Sequence, residues 1–178
     1  AKTDGVPLFV EELTKTLLGG DSSEAVPATI QASLTARLDR LGPAREVAQV
    51  GAVIGREFSY PLLAGVAAMA EGTLAARLEA LTDSQLVFAR GAPPDASYTF
   101  KHALVQDAAY ESMLKPRRKA LHARVAEVLE TQTPDIAETQ PELLAHHYTE
   151  AGSTAPAVDY WHRAAQQALG RSSYFEAE

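Results

Sequence analysis

Gln85-Leu86-Val87-Phe88-Ala89-Arg90, the turn cluster Gly91-Ala92-Pro93-Pro94-Asp95 and Ser97-Tyr98-Thr99-Phe100-Lys101 together decide the fold. The first segment alternates enough to form a strand, with Leu86 and Phe88 on one face. The last places Tyr98 and Phe100 on one side, so the pair predicts a β-hairpin closed by the glycine and prolines. His102 to about Leu114 reads as a helix directly after it. Upstream, Leu74, Leu78 and Leu81 mark the buried stripe of a helix over Glu71–Leu81, preceded by a short helix over Tyr60–Ala68. Before the turn Gly55-Arg56-Glu57, a further helix starting at Gly42-Pro43 carries Val47, Val50, Ala52 and Ile54 on its apolar positions. Helix, helix, helix, hairpin, helix is the order of a winged helix built on a helix-turn-helix, and residues 43–115 are expected to form it.

Toward the N-terminus, Pro7 can occupy the first position of a helix, with Glu11 and Glu12 near its positive end. Leu8, Leu13 and Leu17 give its stripe, and Gly19-Gly20 ends it. Pro27 opens a second helix carrying Ile30, Leu34, Leu38 and Leu41. Residues 1–42 are therefore expected to form a helical unit. Ala1 to Gly5 reads like the tail of something longer, and Tyr174 to Glu178 like a helix left unfinished, so a piece of a larger protein is expected.

Beyond Pro116 every segment is helical. Residues 117–131 carry Leu121, Val125, Val128 and Leu129, Pro134–Thr139 reads as a loop, and helices at about 140–151 and 155–170 flank Gly152. Ala145, Tyr148, Ala157, Trp161 and Ala164 fall at positions 8, 11, 20, 24 and 27 of a unit starting at Glu138. Those are the small and aromatic positions of a 34-residue tetratricopeptide repeat, in which small residues let two antiparallel helices approach closely. A next unit would open at Ser172, with Phe175 at its first bulky position. Residues 116–178 are therefore expected to be a helical linker and the start of a repeat array. The fold class that follows is mainly α, a winged helix followed by tetratricopeptide-like antiparallel helix pairs.

The chain has 178 residues, 46% hydrophobic and 22% charged, enough apolar material for a real core. It has no cysteine, which excludes disulfides, thiolate metal sites and a cysteine nucleophile. No apolar run is long enough to cross a bilayer and no signal-peptide pattern opens the chain, so a cytoplasmic protein without a membrane partner is expected.

The charges are unevenly spread. There are 16 Lys plus Arg against 23 Asp plus Glu, and the net charge of −7 disfavours non-specific nucleic-acid binding. Lys115, Arg117, Arg118, Lys119 and Arg124 fall within ten positions with no acid among them. This basic collar joins two acidic halves. It reads as a solvated hinge around Pro116, or as a contact for an acidic partner surface or a bound phosphate.

Catalytic patterns are missing from the sequence. No glycine is followed by lysine, so there is no G-x-x-x-x-G-K-[ST] phosphate loop, and neither G-x-G-x-x-G nor H-E-x-x-H occurs. His146 and Glu150 share a helix face, but adjacent histidines point about 100° apart, so His146 and His147 cannot serve one ion from that helix. Packing suits them better, and no metal site is expected. A DNA-reading helix over Glu71–Leu81 would bring Glu71 and Glu79 beside Arg77, and the hairpin Asp95 beside Arg90 and Lys101. Such a surface holds nearly as many acids as bases, so DNA is not expected as a partner.

Asp4-Gly5-Val6-Pro7-Leu8-Phe9-Val10-Glu11-Glu12-Leu13, Ala36-Arg37-Leu38-Asp39-Arg40-Leu41, Ile54-Gly55-Arg56-Glu57-Phe58 and Phe100-Lys101-His102-Ala103-Leu104-Val105-Gln106-Asp107-Ala108-Ala109-Tyr110 resemble the C-terminal part of a bacterial STAND ATPase. The similarity is greatest to predicted ATPase modules attached to class III adenylate/guanylate cyclases, and it extends to LuxR-type regulators. It runs over nearly the whole chain. In that family the order is nucleotide-binding core, helical lid, winged helix, then tetratricopeptide repeats. The resemblance makes residues 1–42 a lid remnant and puts the core upstream.

Gly5 and Pro7 match the family's G-x-P motif, whose proline packs near the adenine. His102 matches a histidine close to the β-phosphate of bound ADP, although Ala103 replaces the acid that eukaryotic versions carry next to it. Its place at a helix start, where unpaired N–H groups favour an anion, suits that role independently. The chain itself is then a non-catalytic regulatory piece that binds no cofactor alone. ATP or ADP with Mg would bind in the parent, whose output could be a nucleotidyl cyclase. The expected partners are the upstream nucleotide-binding core and a protein or peptide on the repeat helices. A DNA-binding transcriptional regulator and a repeat scaffold without nucleotide dependence are the alternatives.

Overall fold

The computed structural model describes residues 30–175, and the side chains of residues 31–170. Gly5, Pro7, the helix expected from Pro7 and the helix start at Pro27 lie outside the described residues. Within them the chain is mainly helical, with one small antiparallel sheet. Helices α1 (Ile30–Arg40) and α2 (Ala44–Ile54) lead to strand β1 (Glu57–Ser59) and helices α3 (Tyr60–Ala67) and α4 (Glu71–Asp83). Strands β2 (Val87–Arg90) and β3 (Ser97–Phe100) follow. The chain then continues as α5 (Ala103–Glu111), α6 (Lys115–Gln132), α7 (Pro134–Thr139), α8 (Pro141–Ala151) and α9 (Thr154–Phe175).

Proline sets several helix starts, since a missing N–H costs nothing in the first turn. Pro61, Pro116, Pro134 and Pro141 open α3, α6, α7 and α8 in this way. Ser59 also caps α3, its hydroxyl accepting from the Leu62 N–H at 3.4 Å.

The sheet has the order β1-β3-β2, with Phe58 opposite Tyr98 and Val87 opposite Phe100. These four side chains are buried, and the Phe58 ring stacks on Tyr98 with centroids 5.8 Å apart. Gly51 lets this aromatic face settle on α2: a Cβ there would lie 2.7 Å from the Phe58 ring. At Gly65 on α3, a Cβ would come within 2.9 Å of Val128 on α6. Both helix contacts depend on glycine having no side chain. One hydrophobic core connects these elements, running from Leu34 and Leu38 through Val47, Leu63, Leu81 and Phe100 to Leu129 and Leu144.

Three expectations need correction. Glu57 was expected in a turn, but Glu57–Ser59 forms β1, because the backbone of this segment pairs with β3 on the side away from β2. Pro134–Thr139 is a helix rather than a loop, one short turn-and-a-half started by Pro134 that buries Ala137. Leu86 and Phe88 do not share a buried face. Gln85 has a φ of 56°, which turns the chain out of α4, so the strand begins at Val87. Leu86 and Val87 are buried while Phe88 stands 55% exposed.

Candidate functional site

Helix α6 is where the two parts of the chain meet. It packs against α2 and α3 on one side and α7 and α8 on the other, because His122, Val125, Ala126, Val128 and Leu129 give it a wide buried surface. Its first turn holds the basic collar. Arg117 donates to Glu46 on α2 at 2.9 Å, and Arg77 on α4 donates to the other carboxylate oxygen of Glu46 at 2.7 Å. One carboxylate thus joins three helices. Burial alone would raise its pKa, but the hydrogen bonds and charges of Arg117 and Arg77 outweigh that and hold it below the usual carboxylate range.

The rest of the collar is used differently. Arg118 lies over the Tyr110 ring, 5.0 Å from its centroid, a cation–π contact between α6 and α5. The Lys119 ammonium lies by Gly152 at the C-terminal end of α8, where the helix dipole favours a cation. Lys115 is exposed. The structure therefore spreads the collar residues over contacts with α2, α5 and α8 instead of gathering them around a single point.

Under the collar runs a buried polar chain. Tyr110 Oη lies 3.0 Å from His122 Nε2, and His122 Nδ1 lies 2.9 Å from His147 Nδ1 on α8. Both histidines are almost completely buried. The ring of His146, exposed on the same helix, stands 5.7 Å from that of His122 and 5.3 Å from that of His147. A neutral imidazole has one N–H, so the chain has a direction. If the tyrosine hydroxyl donates to His122, His122 Nδ1–H donates to His147.

Burial lowers the pKa of His122 to about 4, with the charge of His146 adding to the effect. It lowers that of His147 to about 3, helped by His122 and His146. Burial also raises the pKa of Tyr110, and the charge of Glu150 pushes the same way.

This chain borders an open cleft of about 440 Å³, lined by Ala52 to Gly55, Gln106, Asp107, Tyr110, His122, His146 and Glu150. Gln106 closes the end of α2 by donating to the Ala52 carbonyl at 3.2 Å. Among the described residues no group of three or more His, Asp or Glu is arranged to hold a metal ion. His147 is packed inside, as expected for this pair, whereas His146 is exposed.

His102 is the N-cap of α5. Its Nδ1 accepts from the Leu104 N–H at 3.2 Å, so the ring itself takes one of the N–H groups that a helix start offers to an anion. Arg77, the only base on α4, is held by Glu46. At the far end of α6, Glu130 accepts from Tyr148 on α8 and Tyr160 on α9, each at 2.5 Å. The two tyrosine rings stack with centroids 5.7 Å apart, and Trp161 donates to Thr149 at 3.0 Å. Burial and the Glu130 carboxylate push the Tyr160 hydroxyl up to about 12. Ala145 and Ala157, two of the expected small positions, are buried where α8 meets α9. On the outer side, Trp161, Ala164, Ala165, Gln167, Ala168 and Glu142 line a shallow cleft of about 400 Å³.

Sequence reading missed His122 and Glu130. His122 stands three residues before Val125 and seven before Leu129, on the buried face of α6, and that spacing was the available signal. Glu130 carries no local signal, since its partners lie 18 and 30 residues away.

No family model matches the chain, and no solved structure matches it. Among curated proteins it is similar to an uncharacterized protein of Rhizobium meliloti (strain 1021), 28% identical over 184 residues. That match covers 97% of this chain but 18% of the relative, so the chain spans under a fifth of that protein's length. No helix among the described residues is long and apolar enough to cross a membrane.

Proposed function

We propose that this chain is a non-catalytic coupling module of a larger cytoplasmic STAND-type ATPase. In this reading it transmits the nucleotide state of an upstream core to a protein partner and to an output domain such as a nucleotidyl cyclase. Residues 43–115 act as a winged helix facing the core, and residues 116–178 begin a tetratricopeptide-like array whose outer face takes a protein or peptide. The observation that carries the reading is the placement of α6. It is packed on α2 and α3 and on α8 at once, and pinned by Arg117 to Glu46 and by Glu130 to Tyr148 and Tyr160. A displacement of the hairpin-bearing part is then passed to α8 and α9 through a rigid strut, as a two-state coupling element requires.

The match to a limited stretch of a much longer protein supports a role within a larger chain. The DNA-reading alternative is less well supported, because the single cation of α4 is already held inside the molecule.

In the parent, His102 would face the ADP phosphates, with Gly5 and Pro7 near the adenine. Titration with labelled ADP tests this. The full-length parent should bind it and the isolated chain should not, and His102→Ala in the parent should weaken binding about tenfold. Tight binding by the isolated chain, or an unchanged affinity in the His102→Ala parent, would contradict the proposal.

A further inference from the structure

The His122–His147 contact has properties that a simple strut does not need. Two rings almost without exposure face each other through like nitrogens at 2.9 Å, and the bond between them requires that one of those nitrogens carry no proton. A first added proton can be accommodated by reversing the chain. His147 Nδ1–H then donates to His122 Nδ1, and His122 Nε2–H donates to Tyr110. A second proton puts N–H against N–H, and the contact cannot persist. His122 also lines the open 440 Å³ cleft, which gives protons and water a route to the pair.

We propose that the His122–His147 pair is an acid-sensitive latch, so that proton uptake loosens α8 and α9 from α6 while the sheet and the helices around it remain folded. This inference goes beyond the coupling role and stands without it. The groups acting on the two rings are Tyr110 from α5, Arg118 from α6, and His146 and Glu150 from α8, and Asp107 of α5 lines the same cleft. The stretch of α2 that borders the cleft, Ala52 to Ile54, carries no ionisable side chain. Arg118 and His146 oppose a positive charge on His122, and Glu150 favours one. Burial of both rings is the largest opposing effect, so the closed seam resists protons that the opened seam accepts. The clasp at Glu130 also holds α8 and α9 to α6, so the pH-dependent part of the hold is the part that the two rings contribute.

Hydrogen exchange of the whole chain between about pH 7 and about pH 4.5, corrected for intrinsic rates, tests the latch. Below the ordinary imidazole pKa, α8 amides should lose protection by about tenfold per pH unit for each ring that charges on opening. Amides of β3 and α2, which exchange only when the rest of the core opens, should stay better protected than those of α8 at every pH. His122→Leu combined with His147→Leu should remove the pH dependence. If that pair fails to fold, His122→Gln, whose amide can still donate to His147, should leave a single ring's slope. Flat protection of α8 in the native chain would overturn the proposal. So would α8 protection that equals that of β3 and α2 at every pH, or a pH dependence of α8 unchanged in the variants.

Discussion

Arg117, at the start of α6, donates to Glu46 in the first turn of α2 at 2.9 Å, across 71 positions of sequence. Arg77 completes the arrangement from α4, so the carboxylate carries two guanidinium groups from helices on either side of it. Losing Glu46 takes that acceptor from both, and Arg77 keeps its contact with the Met69 sulfur at 3.1 Å. Glu46 and Arg117 are 42% and 48% exposed, which screens the pair and keeps its worth to about 0.5–1 kcal/mol. Glu46→Gln should lower stability to urea by about that amount near neutral pH. A double-mutant cycle with Arg117→Ala should show coupling of the same order. Because the Glu46 pKa is lowered on folding, this contribution is present above its unfolded pKa of 4.5 and disappears as pH falls through the lower folded value.

Gly51→Ala should be costly despite its small size. The added carbon would lie 2.7 Å from the Phe58 ring, which is itself buried against Tyr98 and Phe100, so the ring cannot step aside cheaply. Overpacking of this kind costs about 1–3 kcal/mol. Gly65→Ala pushes α3 off Val128 and should cost a comparable amount, read in the same urea titration. Gly72→Ala, where an added carbon meets nothing, is the control and should be close to neutral or stabilising.

Glu130→Ala removes the acceptor shared by Tyr148 and Tyr160. Hydrogen bonds to a charged group are worth about 1.5–3 kcal/mol each, reduced here by partial exposure. The loss should be concentrated in α8 and α9, whose amides should exchange faster while those of α2 and β3 hold. In the native chain Tyr160 should ionise near pH 12 in a spectrophotometric titration, and in Glu130→Gln it should ionise earlier.

His122 and His147 predict an acid limb of stability. Their folded pKa values, about 4 and about 3, lie below the ordinary value of 6.5. The unfolded chain therefore binds protons first as pH falls. Stability is full above about pH 6.5 and declines below it, by about 1.4 kcal/mol per pH unit for each ring, until the folded rings themselves titrate. Denaturant midpoints from pH 7.5 down to about pH 4.5 check this, and His146→Gln, at an exposed ring, should keep most of the slope.

Much of the fold could be read from local signals. Leucine stripes at three and four and the Gly91 to Asp95 turn each report on a few adjacent residues, and among the described residues the helices and hairpin read from them are found where they were expected. What escaped depends on distant partners. The β1 strand has three residues beside Gly55, too short to show alternation, and is a strand only because β3 offers it hydrogen bonds. The α7 helix, with six residues, is too short to show a helical period. Phe88 is largely exposed although Leu86 and Val87 are buried, because what covers each side of the hairpin is set by distant elements that local alternation does not announce.

The site divides in the same way. His102 at a helix start and the basic collar were visible in the sequence. The polar chain was half visible, through His146 and His147, because its third histidine sits on another helix and its tyrosine on yet another. The two arginines on Glu46 come from 31 and 71 positions away, beyond any local window.

The most direct test of the coupling account is hydrogen exchange of the full-length parent, saturated first with ADP and then with a non-hydrolysable ATP analogue. The account predicts that protection of α6 and α8 differs between the two nucleotides, and that Arg117→Ala reduces the difference at α8. Identical exchange in α6 and α8 under both nucleotides, with both shown to be bound, would contradict it.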